Sequence, residues 1–271
     1  MASRIVDDLS EGEGDRKSAR VLLVTIWELG EAAGPLLIAP LSEIFGRYPV
    51  MNVANVLFIA ATVLAALSQS TPLFIAARAL TGLAVASNVL NPAIVGDMFA
   101  SEQRGSAMSM MMLAPLIGGA CGPAISGAIA QSVGWRQVLW MSAGLAGTCE
   151  VLFLTCFRET YKVPILRRKA AKLRDATGNA SLQSAFDTGD GHQSWAKLCE
   201  GVMRPVSVLV GSGVLMAMSI FGSAGFAFFY VMSVTLPDIL ENIYGLSPAL
   251  TGASMMSFSK PPPNNPLVTS A

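Results

Sequence analysis

Residues 50–67 read VMNVANVLFIAATVLAAL, eighteen positions without one ionisable side chain. At 1.5 Å rise per residue such a helix reaches about 27 Å, close to the roughly 30 Å hydrocarbon core of a bilayer. Backbone N–H and C=O groups in lipid have no water to bond, so each such segment must satisfy them internally and folds as a helix. Five further runs have the same character: 21–41, 73–95, 107–129, 138–157 and 206–236. The fold class that follows is all-α, a polytopic membrane helical bundle with about six transmembrane helices.

Composition agrees with that reading. Of 271 residues, 52% are hydrophobic and 13% charged, whereas a soluble domain usually carries about 25% charged residues. Eighteen basic residues balance eighteen acidic ones, so no global charge points to nucleic acid as a partner. Cys121, Cys149, Cys156 and Cys199 form no CxxC pair, and the only histidine, His192, sits in a polar stretch. No metal site, disulfide framework or cofactor is expected from these spacings. GxGxxG, Walker and GxSxG patterns do not occur, so nothing in the chain argues for an enzyme.

The organisation expected along the chain is a hydrophilic tail (1–20), a five-helix membrane bundle (21–157), a basic loop (158–205), a sixth span (206–236), and a partial next helix with a polar tail (237–271). Connections at 42–49, 68–72, 96–106 and 130–137 are short, which makes successive helices antiparallel neighbours. Eleven Lys and Arg fall on the side of the long loop and six on the other, with Arg78 left inside a span; the positive-inside rule therefore puts the loop in the cytoplasm. Arg16, Lys17 and Arg20, just before the first run, pull the other way and argue for a further helix upstream. Residues 166–173 of the loop fit either a short amphipathic helix against anionic headgroups or a solvated basic linker.

Several residues are out of place in lipid unless they work there. Arg78, in ARALTG, costs several kcal/mol near hydrocarbon unless it faces a cavity, a partner or, by snorkelling, the interface near Pro72. Glu28, Glu31 and Glu150 are proton-relay candidates or simply carboxyls kept neutral by burial. In APLIGGACGPAISGAI, Gly118 and Gly122 are spaced for close helix contact, and Pro123 removes a backbone donor and bends its helix. Asn88, Asn91, Phe226, Phe229 and Tyr230 are candidate cavity-lining residues, although Phe at helical spacing is more often packing than a binding box.

The stretch GPLLIAPLSEIFGR, with Gly34, Pro35, Glu43, Gly46 and Arg47, resembles the signature loop between the second and third helices of major facilitator transporters. ARALTG resembles the superfamily's fourth-helix motif, and GGACGPAISG, with Gly118, Gly122, Pro123 and Gly127, its fifth-helix antiporter motif. GDMFASEQRGSAM, GWRQVLW and FRETYKVPIL follow in the order found in a fungal drug:proton antiporter group. The resemblance covers about residues 21–253 and implies helices two to seven of a twelve-helix fold, with both ends of that fold missing. It implies a role for Arg78 in proton coupling, and proton-coupled efflux of a small amphipathic drug, toxin or secondary metabolite. The partners implied are the lipid bilayer, a small-molecule substrate and protons, with association with itself or a related transporter as a further candidate. The membrane implied is the plasma membrane, with vacuolar or other internal membranes as alternatives. A rival reading is a truncated, non-transporting fragment that packs against a full-length transporter. Tyr48 stands where the signature loop usually has a basic residue, and Glu28 and Glu31 replace apolar or aromatic positions.

Overall fold

The computed structural model describes residues 16–178 and 195–255, with Ile5 and Ser184 as isolated positions; His192 and the tail after Met255 lie outside the described residues. The described residues are helical, with no strand among them. In chain order the helices are α1 (Arg16–Phe45), α2 (Arg47–Leu67), α3 (Thr71–Val85), a 3-10 turn (Ala86–Val89), α4 (Leu90–Met98), α5 (Ser101–Ser132), α6 (Trp135–Cys156), α7 (Lys162–Thr177), α8 (Trp195–Gly211), α9 (Gly213–Asn242) and α10 (Pro248–Met255). Five helical segments among the described residues are long and apolar enough to cross a membrane: Arg47–Leu67, Thr71–Met98, Ser101–Ser132, Trp135–Cys156 and Gly213–Glu241.

These five stand beside the about six spans read from the sequence. The first apolar run lies inside α1, a helix interrupted by Glu28 and Glu31, and α1 is not among the five. The run 206–236 is not one helix either. Gly211, Ser212 and Gly213 break it, because glycine flanking a serine favours a cap over helix continuation, and the Ser212 hydroxyl accepts the N–H of Leu215 as the N-cap of α9. In the third run, Pro92 cannot donate to the Asn88 carbonyl, and the chain tightens to 3-10 geometry over Ala86–Val89 before α4.

Contacts divide the chain into two compact units, Ala2–Met108 with Leu139–Ala217, and Ser109–Val138 with Met218–Ala271. In the first, α1, α2 and α3 pack through small residues. Ala54, Ala61, Ala65 and Ala66 of α2 are buried, as are Ala77, Thr81, Gly82 and Ala84 of α3. Lipid tails are as apolar as leucine, so helices in a bilayer associate by close van der Waals fit rather than by hydrophobic exclusion, and small side chains permit that fit. A second apolar cluster, Ile38, Ala86, Leu90 and Ile94 with Val50, Met51 and Phe157 against it, fills the end of this unit where α1 gives way to α2; the Gly34–Arg47 stretch read as a loop is helical except at Gly46. In the other unit, α10 meets α5 where Gly252 rests on the Pro123 carbonyl, and the Gln131 side chain accepts the N–H of Ala249 at 3.2 Å.

Candidate functional site

The site grows from one glycine. Helix α1 closes its last turn with Gly46 N–H on the Ser42 carbonyl at 3.0 Å, and the chain then reverses at Gly46 with φ 103° and ψ 161°, a backbone that L side chains rarely adopt. Helix α2 starts at the next residue, leaving its first N–H groups without intrahelical acceptors. The acceptor comes from far along the chain. Glu159, just past α6, takes the Arg47 N–H on Oε1 at 2.9 Å and the Tyr48 N–H on Oε2 at 3.3 Å, and its Oε1 also accepts from Tyr161 N–H at 3.0 Å. A carboxylate at a helix N-terminus both satisfies donors and opposes the positive end of the helix dipole. A Cβ on Gly46 would overlap Glu159 Oε2. The glycine is therefore required by the turn and by the approach of the cap alike.

The Arg47 side chain ties the same corner together. It is buried, its Nε lies 3.5 Å from Asp97 Oδ2 at the end of α4, its Nη1 donates to the buried Ser42 hydroxyl, and its guanidinium sits 4.9 Å from the centre of the Tyr161 ring. Neither Arg47 Nε nor Asp97 Oδ2 has an aligned hydrogen bond among the described residues, so the ion pair is a charge contact. Burial, with the Glu43 carboxylate adding to it, pushes the Tyr161 phenol above its ordinary range and keeps it a neutral ring under the cation. Arg104 closes the neighbouring corner by donating to the carbonyls of Gly96 at 2.9 Å and Phe99 at 3.1 Å, at the negative end of α4. Tyr48 stacks near Phe153 and Phe157, with ring centres at 6.0 and 6.3 Å, so an aromatic side chain in place of the usual base is packed rather than left over.

Arg78 sits in a second arrangement. Gly82, one turn after it, has no side chain, and a Cβ there would overlap the Trp27 carbonyl; Gly30 on α1 likewise has Ala79 O at 2.7 Å from where its Cβ would be. The α1 and α3 backbones thus touch, and the Arg78 guanidinium lies 5.7 Å from the Trp27 ring centre. Such stacking is worth about 0.5–2 kcal/mol toward keeping the guanidinium in the span.

The remaining expected residues are spread out. Gly34 is buried, and a Cβ there would overlap the Ala86 side chain and come within 3.0 Å of Leu83 O; Pro35 is half-buried and Glu43 is exposed. A Cβ at Gly118 or Gly122 would meet nothing within 4 Å, and the Ser126 hydroxyl donates to Pro123 O at 3.2 Å. Gly127 lies in α5 as expected. Asn88 is exposed and Asn91 half-buried in the first unit. Phe226 and Tyr230 stack at 6.3 Å on α9, with Phe226 and Phe229 exposed, 60% and 68%, and Tyr230 half-buried. Glu150 is buried and its Oε2 accepts from Asn55 Nδ2 at 2.6 Å, a pairing of α2 with α6 that sequence reasoning missed. Glu159 was quoted only as part of FRETYKVPIL; an acid just after a span is a weak signal for a cap more than a hundred residues back. Among the described residues no group of His, Cys, Asp and Glu is placed to hold a metal ion.

The profile of the Major Facilitator Superfamily matches residues 18–259. This chain belongs to that superfamily. Curated relatives include the "Efflux pump radE" of Floropilus chiversii, 35% identical over 93% of this chain and 47% of its own length. The "MFS-type transporter atr4" of Stereocaulon alpinum is 32% identical over 93% of the chain and 46% of its own length. The "Probable efflux pump mfs2" of Aspergillus flavus is 30% identical over 93% and 60%. The chain spans about half the length of most of these major facilitator relatives. A crystal structure of a D-xylose-proton symporter aligns with a TM-score of 0.66 over 95% of this chain and 60% of that one, at 17% identity, which supports the major facilitator fold. The superfamily and the relatives named above are transporters, not enzymes, and the apolar helices make this a multi-pass integral membrane protein.

Proposed function

We propose that this chain carries the cation-bearing half of a proton-coupled exporter of a small amphipathic molecule. The observation that supports it most is Arg78, a guanidinium inside a span, placed beside the glycine contact of α1 with α3 and stacked on Trp27. A cation in that position is placed to sense the charge of a proton or substrate arriving between helices. The candidates Asn88, Asn91, Phe226, Phe229 and Tyr230 offer amide and ring surface suited to an amphipathic cargo, and the printed names of the relatives favour export over uptake. The membrane is the plasma membrane or an internal one, and the partners are lipid, substrate and protons.

In the native transporter, Arg78→Ala should insert normally and lose proton-driven transport by at least tenfold, with Arg78→Lys recovering only part, because an ammonium lacks the planar fork of donors. Transport by the alanine variant at the wild-type rate in a pH-gradient assay refutes the role. The loop of residues 158–205 lies in the cytoplasm in this reading, on the basic asymmetry of eleven to six. With Cys121, Cys149 and Cys156 replaced by serine, Cys199 should resist an impermeant maleimide applied to intact cells and react after permeabilisation. Labelling in intact cells reverses the topology.

A further inference from the structure

The linker after α6 contains a built helix, α7. Helix α7, KVPILRRKAAKLRDAT, is ended by Gly178 at φ 65°, whose N–H bonds Arg174 O at 2.9 Å, the left-handed glycine cap that stops a helix. Its start is tied to the signature corner, since Glu159 accepts the Tyr161 N–H. Five residues, 157–161, separate it from the span, so it begins at the membrane surface. One side is turned inward, with Ala170 buried and Val163 half-buried. Leu166 and Leu173, 38% and 53% exposed, continue that same apolar stripe one turn before and one turn after Ala170, and Lys169 and Arg174 border it on its two flanks. Arg168, Lys169, Lys172 and Arg174 are exposed and make no ion pair among the described residues, and Asp175 is the helix's one acid.

A stripe that served only to pack against the protein would have its leucines covered along with Ala170, and these are not. Two leucines flanked by long cationic side chains are the pattern of a helix lying in a lipid interface, the leucines entering the acyl boundary while the lysines reach up to the phosphates. We propose that α7 docks on anionic lipid headgroups, so that the lipid surface holds the strap running from α6 and Glu159 to the signature loop. The commitment to lipid rather than an acidic protein rests on charge complementarity together with the proximity of the helix to the end of its span.

The test uses the 271-residue chain with its four cysteines changed to serine and a spin label at Leu173→Cys, reconstituted in vesicles of phosphatidylcholine alone or with about one third phosphatidylserine. Both leaflets carry the same lipid, so the result is independent of topology and of transport. Collision with an aqueous nickel relaxant should fall several-fold in the anionic vesicles. It should recover in 1 M salt, and be unaffected by phosphatidylserine in the Arg168→Gln, Lys169→Gln, Lys172→Gln triple variant, whose insertion is checked by a second label at Leu64→Cys in α2. Equal accessibility in both lipids overturns the proposal. So does a phosphatidylserine effect that survives in the triple variant, or shielding that appears only when an acidic protein is added.

Discussion

Two glycine motifs of this chain have opposite surroundings. At the signature loop, Gly46 is enclosed, its space filled by the Glu159 carboxylate and its backbone held at φ 103°. In α5, Gly118, Gly119 and Gly122 stand open, with nothing within 4 Å of a Cβ at any of them. The first glycine is demanded by a contact made across 112 residues, whereas the second group leaves a smooth helix surface. Equally motif-like strings thus carry different physical constraints, and substitution should separate them.

The largest effect is expected at the enclosed position. Gly46→Ala must relieve a left-handed backbone and displace the Glu159 cap, together about 2–4 kcal/mol, enough to lower the yield of folded protein sharply. Thermal unfolding in detergent would show it, and an unchanged midpoint would mean that the corner is slack. Gly82→Ala tests the same rule at the Trp27 carbonyl, and its failure to destabilise would remove the close α1–α3 approach on which the placement of Arg78 depends. At the open position, Gly122→Ala should leave stability unchanged or raise it by up to about 1 kcal/mol through better helix propensity. A loss as large as that at Gly46 would show that α5 is closely covered in the native protein.

Much of the fold was legible because hydrocarbon allows so little else. A run such as residues 50–67 has one way to satisfy its backbone, and α2 covers it. The breaks were less legible. Ser212 acts as a cap only because glycines flank it, and a hydropathy average over 206–236 passes across that local chemistry unnoticed. In α1 the carboxylates Glu28 and Glu31 lower the apolarity of a stretch that otherwise reads as a span. Of the site, Gly46 and Arg47 were legible through their resemblance to a known loop, but their partners Glu159, Asp97 and Tyr161 arrive from other helices. Period and spacing report neighbours a few residues away; a cap supplied from across the bundle leaves no periodic trace. The same holds for Asn55 and Glu150, each an isolated polar residue in an apolar run until the fold brings them to 2.6 Å.

The central claim is that Glu159 caps the helix that follows the signature loop. Amide hydrogen exchange resolved at Arg47 and Tyr48 tests it most directly, in the native protein and in Glu159→Ala. Removing the carboxylate should cost about 1–2 kcal/mol of local stability, so exchange at these two amides should accelerate roughly five- to thirtyfold while the middle of α2, around Ala61, keeps its protection. Unchanged protection at Arg47 and Tyr48 would contradict the account, because the two donors would then be held by something other than Glu159.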